Sequence, residues 1–222
     1  MRIRASFILA TILSSIFMSA FCTEMPGVIY GEDNRRDIFR ISDPKIVQLT
    51  KSIAGMTLTR NIDQAPNSSI IDLLTVPYGI QNNLCKDEIY YNQPTAMACT
   101  GFLIAPDLIA TAGHCAQERF CTQSAWIFDF TLQDENDPLN KVKEDNIYYC
   151  KRVVVEEKNS LVDYGIIKLD RPVKGRPVLK LNLLKNVTQS TPLFTLGYPS
   201  GLPLKLTDKG NVRSVEKDYN FL

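Results

Sequence analysis

The sequence predicts an all-β fold, an antiparallel barrel or sandwich, and three observations carry that prediction. From about Met56 onward, short apolar runs recur at short intervals with turn residues between them. Several of those runs alternate apolar and polar residues, which places one face of a strand inward. A helical period is almost absent from the same region. The 222 residues suffice for one large all-β domain, or two half-domains, with a sizeable core.

Taken in order, the chain opens with a targeting segment. Arg2 and Arg4 precede the apolar run "FILATILSSIFMSAF" (Phe7 to Phe21), which is short for a bilayer span and has small residues near its end at Ser19 and Ala20. Residues 1–22 are expected to be a signal peptide cleaved after Ala20 or Cys22, so the protein is expected to be secreted, to the extracellular space or the periplasm, and free of the membrane afterwards. Residues 23–55 read as a polar N-terminal or pro segment ending in a short helix. In "SDPKIVQLTKSIAG" the start falls at Ser42 or Asp43, Pro44 sits in the first turn, Ile46, Leu49 and Ile53 share a face, and Gly55 suits a stop. Strands follow in "MTLTRNI", "GFLIA" and "LIATA" with the turn "PD" between the latter two, then "SAWIFDFTL", "NIYYCKRVVVEE", "DYGIIKLDRPV", "PLFTLGYPSG" and "LPLKLTDKGNVRSVEKD". The charged stretch Gln133 to Asp145 reads as a solvated loop whose spacing does not match a calcium-binding hand. Asn67 and Asn186 stand in glycan-acceptor patterns.

Composition excludes several function classes. Lys+Arg is 25 and Asp+Glu is 24, a balance unlike that of a protein built to bind nucleic acid or an anionic membrane. There is no CxxC, and one histidine with irregularly spaced cysteines is a poor zinc ligand set, so neither metal nor cofactor is expected. Export favours disulfides instead. Five cysteines follow Cys22, an odd number: one thiol is free, or Cys22 is retained, or a partner lies outside the sequence.

The single histidine, His114, lies in "LIATAGHCAQ" with Cys115 directly behind it. Cys99 and Cys115 flank two strands joined by a tight turn, which brings their side chains across a hairpin where a disulfide closes readily. Such a bond would fix the loop carrying His114, as a general base requires. The competing reading is a buried, satisfied histidine. A base also needs a carboxylate to accept its second ring N–H. Asp163, at the entrance to "YGIIKL" and next to the small Gly165, is the candidate.

Together, "TGFLIAPDLIATAGHC" and "DYGIIKLDRPV" resemble the chymotrypsin-like serine peptidases, closest to the secreted bacterial branch that includes the glutamyl endopeptidases. "VIYGEDNR" (Val28 to Arg35) and "LGYPSG" (Leu196 to Gly201) are similar to further segments of that branch. The resemblance implies a double antiparallel β-barrel with the site between the barrels: residues 56–175 as a complete first barrel carrying His114 and Asp163, and 176–222 as a partial second one. It implies His114 as general base, Asp163 as its orienter, polypeptide substrates, and a Cys99–Cys115 disulfide beside the histidine. Cys121 with Cys150 is the second pairing, on proximity, leaving Cys85 unpaired.

The same resemblance asks for a serine in Gly-x-Ser-Gly, with an oxyanion hole from neighbouring backbone N–H groups. The sequence holds none. Ser200 in "GYPSGLP" follows Pro199, which has no N–H, and lies too soon after Asp163; the family carries this stretch as a structural turn. Ser214 has no glycine beside it. Two expectations follow: a secreted serine endopeptidase whose sequence is truncated before its nucleophile, or a catalytically inactive peptidase-like domain that binds peptides or proteins.

Overall fold

Strand pairing closes the middle of the chain on itself. The computed structural model describes residues 32–63, 68–182 and 187–215. The signal segment with Cys22, the stretch from Val28 to Gly31, Asn67 and Asn186 lie outside the described residues. The strands are β1 (Arg35–Asp37), β2 (Ile53–Leu58), β3 (Ile62–Asp63), β4 (Ile70–Leu73), β5 (Val76–Pro77), β6 (Pro94–Thr95) and β7 (Cys99–Ala105). They continue with β8 (Leu108–Thr111), β9 (Ser124–Phe128), β10 (Lys141–Lys143), β11 (Ile147–Lys158), β12 (Asp163–Leu169), β13 (Pro192–Gly197) and β14 (Lys205–Asn211). Helices are short: α1 (Pro44–Thr50), α2 (Tyr78–Gln81) and α3 (Glu118–Gln123).

A closed antiparallel barrel runs β11-β12-β8-β7-β2-β9. Its interior collects side chains from all six strands, among them Ala54, Met56, Leu103, Ile109, Trp126, Phe128, Tyr148, Ile167 and Leu169. The alternate residues of the same strands face outward into a second core. Ile53, Ala125, Ile127 and Ile147 pack there with Ile71, Leu73, Phe130, Leu139 and Val142 from the small sheet β10-β4-β3 and its flanking loop. This is why "SAWIF" is buried at every position although it alternates: each face of β9 meets its own core. β11 carries two register shifts against β12, which bend the strand around the barrel.

The helix is shorter than the sequence period predicts. Asp43 is the N-cap, its side chain accepting the Lys45 N–H, and Pro44 takes the first turn, but the helix ends at Thr50. Ile53 and Gly55 belong to β2 instead, where register with β7 and β9 wins over local helical spacing.

After the barrel the chain is strapped back across it. The Val173 N–H donates to the Pro106 carbonyl, the Leu179 N–H to the Leu103 carbonyl, and the Ser52 hydroxyl to the Pro177 carbonyl. A three-stranded sheet, β1-β14-β13, forms the second unit. Its outer strand comes from the N-terminal segment: Arg35, Arg36 and Asp37 pair with Thr207, Leu206 and Lys205. Leu204 and Leu206 turn into the second core alongside Tyr198, joining the sheet to the barrel wall.

The disulfides are Cys99–Cys115 and Cys121–Cys150. Cys85 is disulfide-bonded too, and no cysteine among the described residues is free, so the expectation of an unpaired Cys85 is corrected. Pairing by sequence proximity treated Cys85 as the remainder of an odd set, and the fold removes that remainder. Among the described residues no helix is long and apolar enough to cross a membrane.

Candidate active site

β12 and β8 are antiparallel neighbours in the register Gly165↔Thr111. β8 ends at Thr111, whereas β12 reaches back to Asp163, so β12 overhangs its neighbour by two residues. The chain leaving β8 curls under that overhang in a one-turn 3-10 helix, Gly113–Cys115, closed by the Cys115 N–H on the Ala112 carbonyl and the Ala116 N–H on the Gly113 carbonyl. His114 is thereby set directly against Asp163.

Two glycines make the fit. A Cβ on Gly113 would lie 2.2 Å from the Glu157 carbonyl oxygen, and one on Gly165 would lie 2.3 Å from the Ala116 methyl. The turn and the β11–β12 hairpin therefore meet backbone to backbone. From the other side the turn is tied to β7 by the Cys99–Cys115 bond and by the Thr111 hydroxyl, which donates to the Thr100 carbonyl over 2.8 Å. Thr100 also reaches the second unit, its hydroxyl accepting the Tyr198 N–H at 3.0 Å.

Asp163 holds the histidine at two points. Its Oδ1 accepts the backbone N–H of His114 at 2.8 Å, and its Oδ2 lies 2.6 Å from Nδ1. A carboxylate only accepts, so Nδ1 carries the proton and Nε2 of the neutral ring keeps a lone pair. The ring's hydrogen bond, and then the backbone N–H, hold the Asp163 carboxyl below the usual carboxylate range. It stays ionised and can stabilise an imidazolium. The two side chains are 52% and 42% exposed, which rejects a buried, structural histidine: the ring is open to an incoming group.

The structure thus brings together the sequence-predicted His114, Asp163, Cys99 and Cys115, and it joins Cys121 of α3 to Cys150 of β11. Ser200 sits in the 3-10 turn Pro199–Gly201 at φ 52°, and the carbonyl of the next residue, Gly201, accepts from the N–H groups of Ala96 and Met97. That turn clasps the β6–β7 loop, a structural task. Among the described residues no hydroxyl hydrogen-bonds the second ring nitrogen of His114. Sequence reasoning missed the backbone N–H of His114 as a second donor to Asp163. Gly113, placed directly before the histidine, was the available signal.

The family model for the trypsin-like peptidase domain matches residues 99–221, more than half of the chain, and the chain belongs to that family, the chymotrypsin-like serine peptidases. It is similar to an extracellular metalloprotease of Bacillus subtilis (strain 168), 25% identical over 126 residues, covering 55% of this chain and 39% of that protein. The chain therefore spans about two fifths of that relative's length. Among solved structures it is similar to a Glu endopeptidase in complex with MPD, with 17% identity, a TM-score of 0.47 and coverage of 85% of this chain and 73% of the other. It is also similar to the Vibrio cholerae VesB protease, with 13% identity, a TM-score of 0.43 and coverage of 78% and 42%.

Proposed function

We propose that this chain carries the base half of a secreted serine-type endopeptidase, with His114 as general base and Asp163 as the carboxylate that orients it. One observation carries the reading. Asp163 grips both the ring Nδ1 and the backbone N–H of an exposed histidine, which leaves Nε2 with its lone pair to accept a proton from an alcohol and supports the imidazolium so formed. Export is supported by the N-terminal targeting pattern and by the disulfides Cys99–Cys115 and Cys121–Cys150. Substrates are polypeptides, by membership of the family.

Hydrolysis would run through attack of the alcohol on the scissile carbonyl, proton transfer to Nε2, and return of that proton to the leaving amine. The 222 residues contain no Gly-x-Ser-Gly, so the reading places the nucleophile and its oxyanion hole outside them. The name of the Bacillus relative would put a metal in the reaction. Among the described residues one group of His, Cys, Asp or Glu has suitable spacing, Cys99, His114 and Cys115, and two of its members are bonded to each other. In the oxidised protein that group offers His114 alone, and no step is routed through a metal.

The test uses an activity probe that phosphonylates nucleophilic serines. The 222-residue chain should remain unlabelled and cleave no peptide. A chain extended by downstream coding sequence containing Gly-x-Ser-Gly should be labelled, and His114→Ala should abolish that labelling. Labelling of the 222-residue chain that disappears in Ser200→Ala would overturn the assignment. A downstream frame lacking the motif would favour the peptide-binding alternative.

A further inference from the structure

Three donors stand at close quarters where the turn that presents His114 meets β7. The sulfurs of Cys99 and Cys115 and a ring nitrogen of His114 lie within 4.8 Å of one another. We propose that reduction of the Cys99–Cys115 disulfide converts this turn into a three-ligand site for zinc or a zinc-like divalent ion, formed by the two thiolates and His114 Nε2.

Donor chemistry supports each ligand. Two thiolates and an imidazole suit zinc, and three protein ligands with a fourth position left to water is a common zinc geometry. Thiolates about 2.3 Å from a tetrahedral ion stand about 3.8 Å apart, so the two sulfurs must move apart by roughly 2 Å once the bond between them is broken. The Cα atoms are already 6.3 Å apart, Cys99 at the start of β7 and Cys115 at the end of the 3-10 turn Gly113–Cys115. Asp163 occupies Nδ1, which leaves Nε2 as the nitrogen with a lone pair. It also supplies what zinc-ligating histidines usually have, a carboxylate on the opposite ring nitrogen.

The steps balance. A dithiol reductant supplies two electrons and two protons, the S–S bond breaks to two thiols, and the reductant closes to its own disulfide. The divalent ion then displaces both thiol protons and binds two thiolates and one neutral imidazole, with no net charge change at the ligand set beyond the released protons. The site stands on these donors alone. Its consequence, capture of the nitrogen that must accept a proton, rests on the function proposed above.

The experiment titrates cadmium ion into the full chain after anaerobic reduction and removal of the dithiol, following thiolate-to-metal charge-transfer absorbance. In a Cys121→Ser/Cys150→Ser chain, one equivalent should bind with far-ultraviolet circular dichroism unchanged from the oxidised protein. Cys99→Ser/Cys115→Ser should lose that equivalent and reports any contribution of Cys85. His114→Ala should weaken binding at least about tenfold, since losing a ligand costs no less than losing the group that orients it. Equal affinity with His114→Ala, an absent charge-transfer band, or loss of β-structure on reduction would each overturn the proposal. None of these readouts depends on peptidase activity.

Discussion

The barrel and the β1-β14-β13 sheet draw on similar residues, yet they solve the problem of strand edges differently. In the barrel each strand has a neighbour on both sides, so its backbone donors are satisfied internally and its core is enclosed. In the sheet, β14 is covered on one side by β1, which the chain brings from its N-terminal segment, and β13 has one partner among the described residues. Leu193 and Phe194 on β13 are 42% and 47% exposed, whereas Leu206 on β14 is fully buried. The base and its carboxylate sit on the enclosed unit. The hydrogen bonds that fix their geometry are made within that unit.

The sheet has its own lock. Lys205 is fully buried, its ammonium donating to Asp37 and Gln93 and lying 4.3 Å from the centroid of the Tyr90 ring. Burial pushes this lysine down to about 8 although the Asp37 carboxylate opposes the shift. The lock ties β1 to β14 across most of the sequence.

The largest effect that could break the contrast is expected from Trp126→Ala, which empties the barrel interior. It should cost about 3–5 kcal/mol by urea unfolding and disturb His114 resonances. Asp37→Ala should cost toward the lower end of about 3–5 kcal/mol, because Gln93 still accepts from Lys205. It should open the sheet to hydrogen exchange while leaving barrel amides protected. The pH dependence has a definite sign. Below pH 8 the lysine is protonated folded and unfolded alike. Between about 8 and the ordinary 10.5 the folded state releases its proton first, so the contribution of Lys205 to stability rises with pH. Lys205→Met should remove that rise, and a wild-type curve that falls relative to the variant in this window would refute the assignment. Gly113→Ala should cost about 1–3 kcal/mol and separate His114 from Asp163, read as a changed Nδ1 proton signal. Phe194→Ser should change stability by no more than about 0.5 kcal/mol. A larger loss would mean that β13 is covered in solution.

What could be read in the sequence followed from local signals. The histidine turn, the carboxylate at a strand entrance and the cysteines across a hairpin are each specified within a few residues, and the fold places all four side chains together. What escaped was specified at long range. "RRD" has no apolar alternation and becomes a strand only because Thr207, Leu206 and Lys205 stand opposite it. Lys205 is buried only because Asp37, Gln93 and Tyr90, all distant in sequence, surround it. The α1 helix lost its last predicted residues to β2 because Ile53 and Gly55 have partners in both β7 and β9.

Strand β9 is a wall shared by two rooms: Trp126 and Phe128 furnish one, Ala125 and Ile127 the other. Cutting out the six barrel strands as a minimal protein would leave Ile53, Ile127 and Ile147 facing water. A stand-alone carrier of the histidine turn would have to be re-surfaced at those positions, or keep the β10-β4-β3 sheet as its roof.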